Sequence, residues 1–239
     1  MKILILTTKT FHHDYFINSL NISNDRIFVI YEGKKNKPKF KTNHIFTTLR
    51  NKYEKKYFGD LLPVKKKIKK FKINDINSKN ALKCVKQINP DLVIDYGTSI
   101  LKSELLDVLK NKKVINLHGG DPETYRGLDS YLWCLYHKDF TKIVACVHKI
   151  NNGIDTGDIL RKKKIIITKK TSIYSIRAQV TEKCVEMVNE LLVQLLRSIK
   201  IKSFRQIKKG RYYSFFPAVL INTCIKNFNN YKKNYVTQK

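Results

Sequence analysis

Four short runs rich in Ile, Val and Leu, at residues 1–7, 26–31, 91–95 and 113–117, alternate with segments of helical spacing. This alternation constrains the chain more than any other feature. Strands separated by helices pair in parallel, and the crossover rule then covers both faces of the sheet with helices. Helices are predicted over 14–20, over 77–88 with Asn77 or Ser78 as cap, and over 101–109, with an amphipathic segment around 45–58. Beyond residue 117 the pattern predicts a helix over 127–137 and strands over 143–150 and 158–168. The short connection between those two strands, at Asp155-Thr156-Gly157, points to an antiparallel edge. Apolar positions from Ile173 to Ile199 keep helical spacing and predict one long amphipathic helix over 171–198. The expected fold is therefore α/β and Rossmann-like, with helices on both faces and a small C-terminal helical and aromatic extension. A core of 1–170 would carry 171–239 packed on it, with a lysine- and asparagine-rich tail expected to fray.

Composition excludes several classes. No apolar run approaches the roughly 18 to 20 residues that span a bilayer, so no membrane insertion is expected. The N-terminus reads as a strand rather than a signal peptide. Five widely spaced cysteines in apolar surroundings indicate reduced thiols and a cytoplasmic setting, with neither a disulfide framework nor a zinc cluster. The net charge of +29 suggests phosphate partners. However, the lysine runs at 34–41, 65–72, 162–170 and 226–239 are spread along the chain without any nucleic-acid-binding motif. A solvated lysine-rich surface is the expectation, and nucleic acid is not an expected partner. The first glycine is Gly33, so the turn after the first strand lacks the glycines of a dinucleotide fingerprint or a P-loop. A Gly-x-Ser-x-Gly elbow and a His-Glu-x-x-His pair are also absent from the sequence.

The chemistry concentrates in two segments. The run 113–117 leads into "NLHGGDPETYRGLDSYLW", where strand alternation points Asn116 and His118 to the same side at the ligand-binding end of an α/β sheet. The second segment, "VHKINNGIDTGDIL", sets Asp155 in a tight glycine-flanked turn. An amide donor can stabilise an oxyanion, an imidazole can take a proton near neutral pH, and a carboxylate can orient that imidazole. His12 and His13 follow the first strand at the same edge and, with Tyr125 and Arg126, whose guanidinium fork can grip an anionic group, are candidates for substrate binding. His148 reads as a buried core histidine that shapes the pocket, and Tyr131, Trp133 and Tyr136 read as core packing.

The pattern Asn116-x-His118, then Tyr125-Arg126-Gly127, His148 and Ile154-Asp155-Thr156-Gly157 resembles the 10-formyltetrahydrofolate-dependent formyltransferase family. The resemblance runs from about Asp91 to Leu160. It implies Asn116, His118 and Asp155 as a catalytic trio and 10-formyltetrahydrofolate as formyl donor, with no metal. It also implies that Thr98, Ser99, Ile100, Leu101, Asn151, Gly153 and Ile154 bind the folate. His118-Gly119-Gly120-Asp121-Pro122-Glu123 departs from the usual His-x-Ser-Leu-Leu-Pro and resembles a subset of sugar-nucleotide N-formyltransferases, as does "YRGLDSYLW". That branch implies a nucleotide-linked amino-dideoxy sugar on dTDP or GDP as acceptor, a role in O-antigen or other surface-glycan synthesis, and a homodimer. Two alternatives stand beside it: a methionyl-tRNA formyltransferase-like enzyme, disfavoured because little chain follows Asp155 for the further β-rich domain expected there, and a non-enzymatic basic RNA-binding α/β domain. A glycinamide ribonucleotide enzyme is disfavoured because the first turn has no glycine.

Overall fold

The computed structural model describes residues 1–34, 38–59 and 68–235. Parts of the lysine runs at 34–41, 65–72 and 226–239 lie outside the described residues. The centre is a seven-stranded sheet whose strands are β1 (Ile3–Thr7), β2 (Ile27–Glu32), β3 (Lys69–Ile73), β4 (Leu92–Tyr96), β5 (Lys113–His118), β7 (Val144–Lys149) and β8 (Ile159–Lys164). Their order is β3-β2-β1-β4-β5-β7-β8; the first five are parallel and the last two antiparallel. β1 and β4 are buried along their whole length, as expected of central strands covered on both faces.

The helices follow their caps. The Thr10 hydroxyl accepts from the His13 amide and starts α1 (Phe11–Asn18) three residues before the expected Asp14. Asn43 caps α2 (His44–Phe58), and Ser78 caps α3 (Lys79–Ile88), which ends at Asn89 in the left-handed region before Pro90. With α4 (Ser103–Leu109), α3 covers one face of the sheet through Val85, Ile88, Leu105 and Leu109 against Leu4, Leu6 and Val93. The other face carries α1 and the long helix α6 (Ile176–Leu196), on a core that includes Ile3, Ile5, Ile94, Ile115, Val188 and Leu191.

Two expectations change, and one stretch without an assigned element gains one. The basic stretch ending at Ile73 contains a sheet-edge strand, β3, whose lysines face water while Phe71 and Ile73 rest on the core. The helix expected over 127–137 shortens to α5 (Ser130–Tyr136), because Gly127 at φ +87° and Asp129 at φ +50° turn the chain first. Residues Tyr125–Gly127 instead form β6, paired with β9 (Arg211–Tyr213) in a second small sheet. A Cβ at Gly127 would stand 2.2 Å from the Tyr213 carbonyl oxygen, so this approach requires glycine. The polar tail does not fray through its described part: it forms α7 (Ile221–Tyr235), which buries Ile221, Cys224 and Phe228 and donates from Asn227 to the Leu135 and Tyr136 carbonyls.

Phe228 is 2% exposed within the same core as the sheet. Phe228→Ala is expected to cost about 3–5 kcal/mol. Urea unfolding should show a lower midpoint at an unchanged slope; a midpoint equal to wild type would detach α7 from the core.

Candidate active site

At the carboxyl ends of β4 and β5 the sheet opens into a cavity of about 420 Å³. Val114 packs toward α3 and α4 while Ile115 and Leu117 face the other core, so alternation sets Asn116 and His118 on the Val114 side, as the sequence implied. Register adds partners on both sides of Asn116, Asp95 on β4 and His148 on β7.

Asp155 reaches this row from the β7–β8 connection. The turn is tight: a Cβ on Gly157 would lie 1.8 Å from the Lys149 carbonyl oxygen, and Asp155 itself has φ +51°. Gln206 pins it, donating from Nε2 to the carbonyls of Asp155 (2.9 Å) and Gly157 (2.8 Å). The Asp155 carboxylate then meets three segments. Oδ2 accepts from the Gly127 amide at 2.7 Å and stands 3.6 Å from His118 Nδ1. Oδ1 accepts from Asn116 Nδ2 at 3.1 Å and lies 3.3 Å from His148 Nε2. Burial opposes its ionisation, but the His118 and His148 rings once protonated, together with the Gly127 amide, outweigh it and hold the carboxyl well below the usual carboxylate range.

The neighbours fix the tautomers. His118 Nε2 faces the Tyr125 carbonyl at 2.8 Å, so it must donate there, and the basic lone pair of the neutral ring is on Nδ1, toward Asp155. His148 Nδ1 donates to the Lys149 carbonyl at 2.8 Å, which leaves Nε2 to accept from Asn116 Nδ2 at 3.1 Å. His148 thus orients the Asn116 amide and belongs to the site, beyond the core packing expected of it. The parity that aligns it with Cys146 on β7, read together with the β5–β7 register, is the signal that reveals this.

All the residues implied to hold folate line the cavity: Thr98, Ser99, Ile100 and Leu101 on one side, Asn151, Gly153 and Ile154 on the other. Glu32 Oε2 fixes the first loop by accepting from the Ser99 amide at 2.7 Å, and Asn77 bonds the Ile100 carbonyl and the Lys102 amide. His12 and His13 also line it, both buried. His12 Nδ1 donates to Glu54 at 3.0 Å, a carboxylate that also accepts two hydrogen bonds from the Arg177 guanidinium (2.6 and 2.8 Å). Burial and the Arg177 charge push His12 down to about 4, and burial and His12 push His13 well below the ordinary histidine value, so both rings are neutral.

Tyr125 and Arg126 do not reach the cavity, contrary to expectation. β6 pairing turns Arg126 inward, where Nε donates to the Pro122 carbonyl (3.0 Å) and Nη2 to Gln206 (2.9 Å), so its fork is spent on the chain itself. Tyr125 is buried against Tyr213. A larger recess of about 850 Å³, lined by Leu109, Leu191 and Leu195, shares Ile150, Asn151 and Asn152 with this cavity but is lined by none of Asn116, His118 and Asp155. Among the described residues no cluster of metal-ligating side chains exists.

A carboxyl depressed in the folded state contributes stability above its unfolded value, near 3.9, and loses it as pH falls toward the folded value. Asp155→Asn, which tolerates the left-handed backbone, is expected to cost about 1.5–3 kcal/mol at pH 7. In urea melts its deficit against wild type should shrink between pH 4 and pH 3; a constant deficit would show that the charge is not held as described.

Comparison with known proteins bears on the family and the fold. The family model for formyl transferase matches residues 1–192. A methionyl-tRNA formyltransferase of Rickettsia bellii is 30% identical over 142 residues, 58% of this chain and 44% of that protein. The matched stretch therefore spans less than half the length of that curated relative. A sugar N-formyltransferase from a Shewanella species superposes with a TM-score of 0.64 at 16% identity, over 95% of this chain and 87% of that one. The formyltransferase PseJ of Anoxybacillus kamchatkensis, solved with UDP-4,6-dideoxy-4-formamido-L-AltNAc and tetrahydrofolate, superposes with a TM-score of 0.52 at 19% identity, over 90% and 86% of the two chains. With the family model covering the sheet, the row of site residues and most of α6, the chain belongs to the formyl transferase family.

Proposed function

We propose that this protein transfers a formyl group from 10-formyltetrahydrofolate to the amino group of a dTDP- or GDP-linked amino-dideoxy sugar. The observation that carries the reading is the convergence of Asn116, His118 and Asp155 on one cavity. The cavity suits the donor, with two loops of backbone and polar groups around the apolar side chains of Leu101 and Ile150. When bound, the donor supplies a formyl carbon already activated on nitrogen.

The chain's residues then divide the work. As the sugar amine bonds to the formyl carbon, charge develops on the carbonyl oxygen, and Asn116 donates to it. Both amide hydrogens of Asn116 are engaged with Asp155 and His148, so one is released to the oxyanion, while the His148 contact keeps the amide turned the right way. His118 accepts the proton of the amine on Nδ1, and the 3.6 Å gap to Asp155 becomes a charge-assisted contact once that proton arrives. The same proton then serves the departing nitrogen.

The sugar-nucleotide branch is supported by likeness over nearly the full length of chains such as the Shewanella enzyme, including the C-terminal part beyond the matched family segment. A second reading, formylation of methionyl-tRNA, is favoured by the curated relatives that match in sequence. Incubation with 10-formyltetrahydrofolate and a panel of dTDP- and GDP-amino sugars, read by product mass, separates the two. Formylation of a sugar nucleotide, with none of charged initiator tRNA, is the expected result; the reverse would transfer the protein to the second reading.

Asn116→Ala and His118→Ala are each expected to lower kcat by at least about 10², since each removes a transition-state interaction. Circular dichroism should show an intact fold. Turnover near wild type in either variant would contradict the oxyanion and proton-transfer roles of these two side chains.

A further inference from the structure

One polar residue of the site row has no part in this mechanism. Asp95 on β4 pairs in register with Leu6 on one side and Asn116 on the other, and Asn116 pairs in turn with His148. The side chain therefore shares the row of the reacting groups, lines the same cavity and is only 9% exposed. Thr98 holds it, with Oγ1 donating to Oδ1 at 2.7 Å and the Thr98 amide adding a second bond. The charges that act on it most are both negative: Glu32 at the end of β2, itself fixed by the Ile76 and Ser99 amides, and Asp155 from the β7–β8 turn. Beside it stand Asn116 and His148, and from α1 the neutral His13 ring packs on the adjacent Gly97.

A carboxyl in such surroundings is costly unless a ligand uses it. We propose that Asp95 binds the pterin ring of the formyl donor, its two carboxylate oxygens accepting parallel N–H···O bonds from the ring's 2-amino group and adjacent ring N–H. This rests on the folate-dependent reading of the site and names the group that would select the donor's heterocycle. Leu101 and Ile150 line the same cavity and supply apolar contact for a flat ring. The amidine-like edge of that ring offers two N–H groups side by side, as a guanidinium does to a carboxylate.

The arrangement has a proton consequence. Burial, then Glu32 and Asp155, push the Asp95 carboxyl up to about 7 against the hydrogen bonds of Thr98. Two N–H donors from a bound ring favour the anion. Below about pH 7, therefore, binding expels the carboxyl proton to solvent while the ring keeps its own hydrogens.

The test is calorimetric titration of the full chain with 5-formyltetrahydrofolate, a stable analogue, from pH 5.5 to 8.5 in buffers of different ionisation enthalpy. Wild-type protein should release close to one proton per ligand at pH 5.5 and almost none at pH 8.5. Its affinity should fall by up to about tenfold per pH unit below 7. Asp95→Asn, which keeps an acceptor for Thr98, should bind at least about tenfold more weakly at pH 8.5, with that proton release gone. Wild-type affinity and proton release in Asp95→Asn would overturn the proposal, and absence of proton release in the wild type would overturn it without any variant. No binding of the analogue by folded wild-type protein at any pH would overturn the folate reading itself, and this proposal with it.

Discussion

A nearly buried carboxylate, Asp155, ties the site together, and the surrounding backbone is arranged to keep it ionised. Its charge is met by hydrogen bonds from the amide of Gly127 on β6 and the side-chain amide of Asn116 on β5, with the rings of His118 and of His148 on β7 standing 3.6 and 3.3 Å away. These partners come from three different segments, so retaining the charge fixes their mutual positions. Removing any one partner would leave part of a buried anion uncompensated, a cost that exceeds the worth of a single surface hydrogen bond. The close packing at Gly127 and Gly157 serves the same end, because it brings the β6 amide and the β7–β8 turn to the carboxylate.

Support for that turn comes from far along the chain. Gln206 clamps the carbonyls of Asp155 and Gly157 and also accepts from Arg126, while β9 pairs with β6 and so sets the height of the Gly127 amide. The segment after α6 is therefore part of how the site is held. The Trp133, Tyr213 and Phe216 rings pack together where α5 meets this segment, with Trp133 Nε1 donating to the Ser214 carbonyl. The aromatic cluster read in the sequence as packing thus joins the return strand to the helix that follows the site loop.

What the sequence made legible follows from which forces are local. The side of the sheet shared by Asn116 and His118 came from strand parity, and the ends of α3 from Ser78 and Asn89-Pro90; both are properties of a few adjacent residues. Tyr125 and Arg126 could not be placed in this way. Their direction is set by pairing with Arg211–Tyr213, which no local pattern announces. β3 was hidden because an edge strand tolerates lysines on its solvent side, and α7 because its apolar stripe of Ile221, Cys224 and Phe228 is diluted by lysine and asparagine. His148 and Asp95 each look ordinary in their own strands. They gain meaning only through register with Asn116, a relation between chain segments.

The charge distribution is a separate level of design. The chain carries a net +29, yet the charges that act most on the buried Asp95 are those of the acids Glu32 and Asp155. At physiological ionic strength exposed charges act over roughly 8 Å. The lysine-rich surface therefore works on approach, concentrating anionic molecules near the protein and raising encounter rates. A folate with its glutamate carboxylates and a sugar on a nucleoside diphosphate are both anions of this kind, as is a tRNA, so the surface field attracts all three alike. Selection among such anions falls to the cavity, where the carboxylates of Asp95 and Asp155 disfavour phosphate and favour neutral N–H donors. The sign of the field inside the cavity is therefore set by where these acids are buried, independently of the excess of lysine outside.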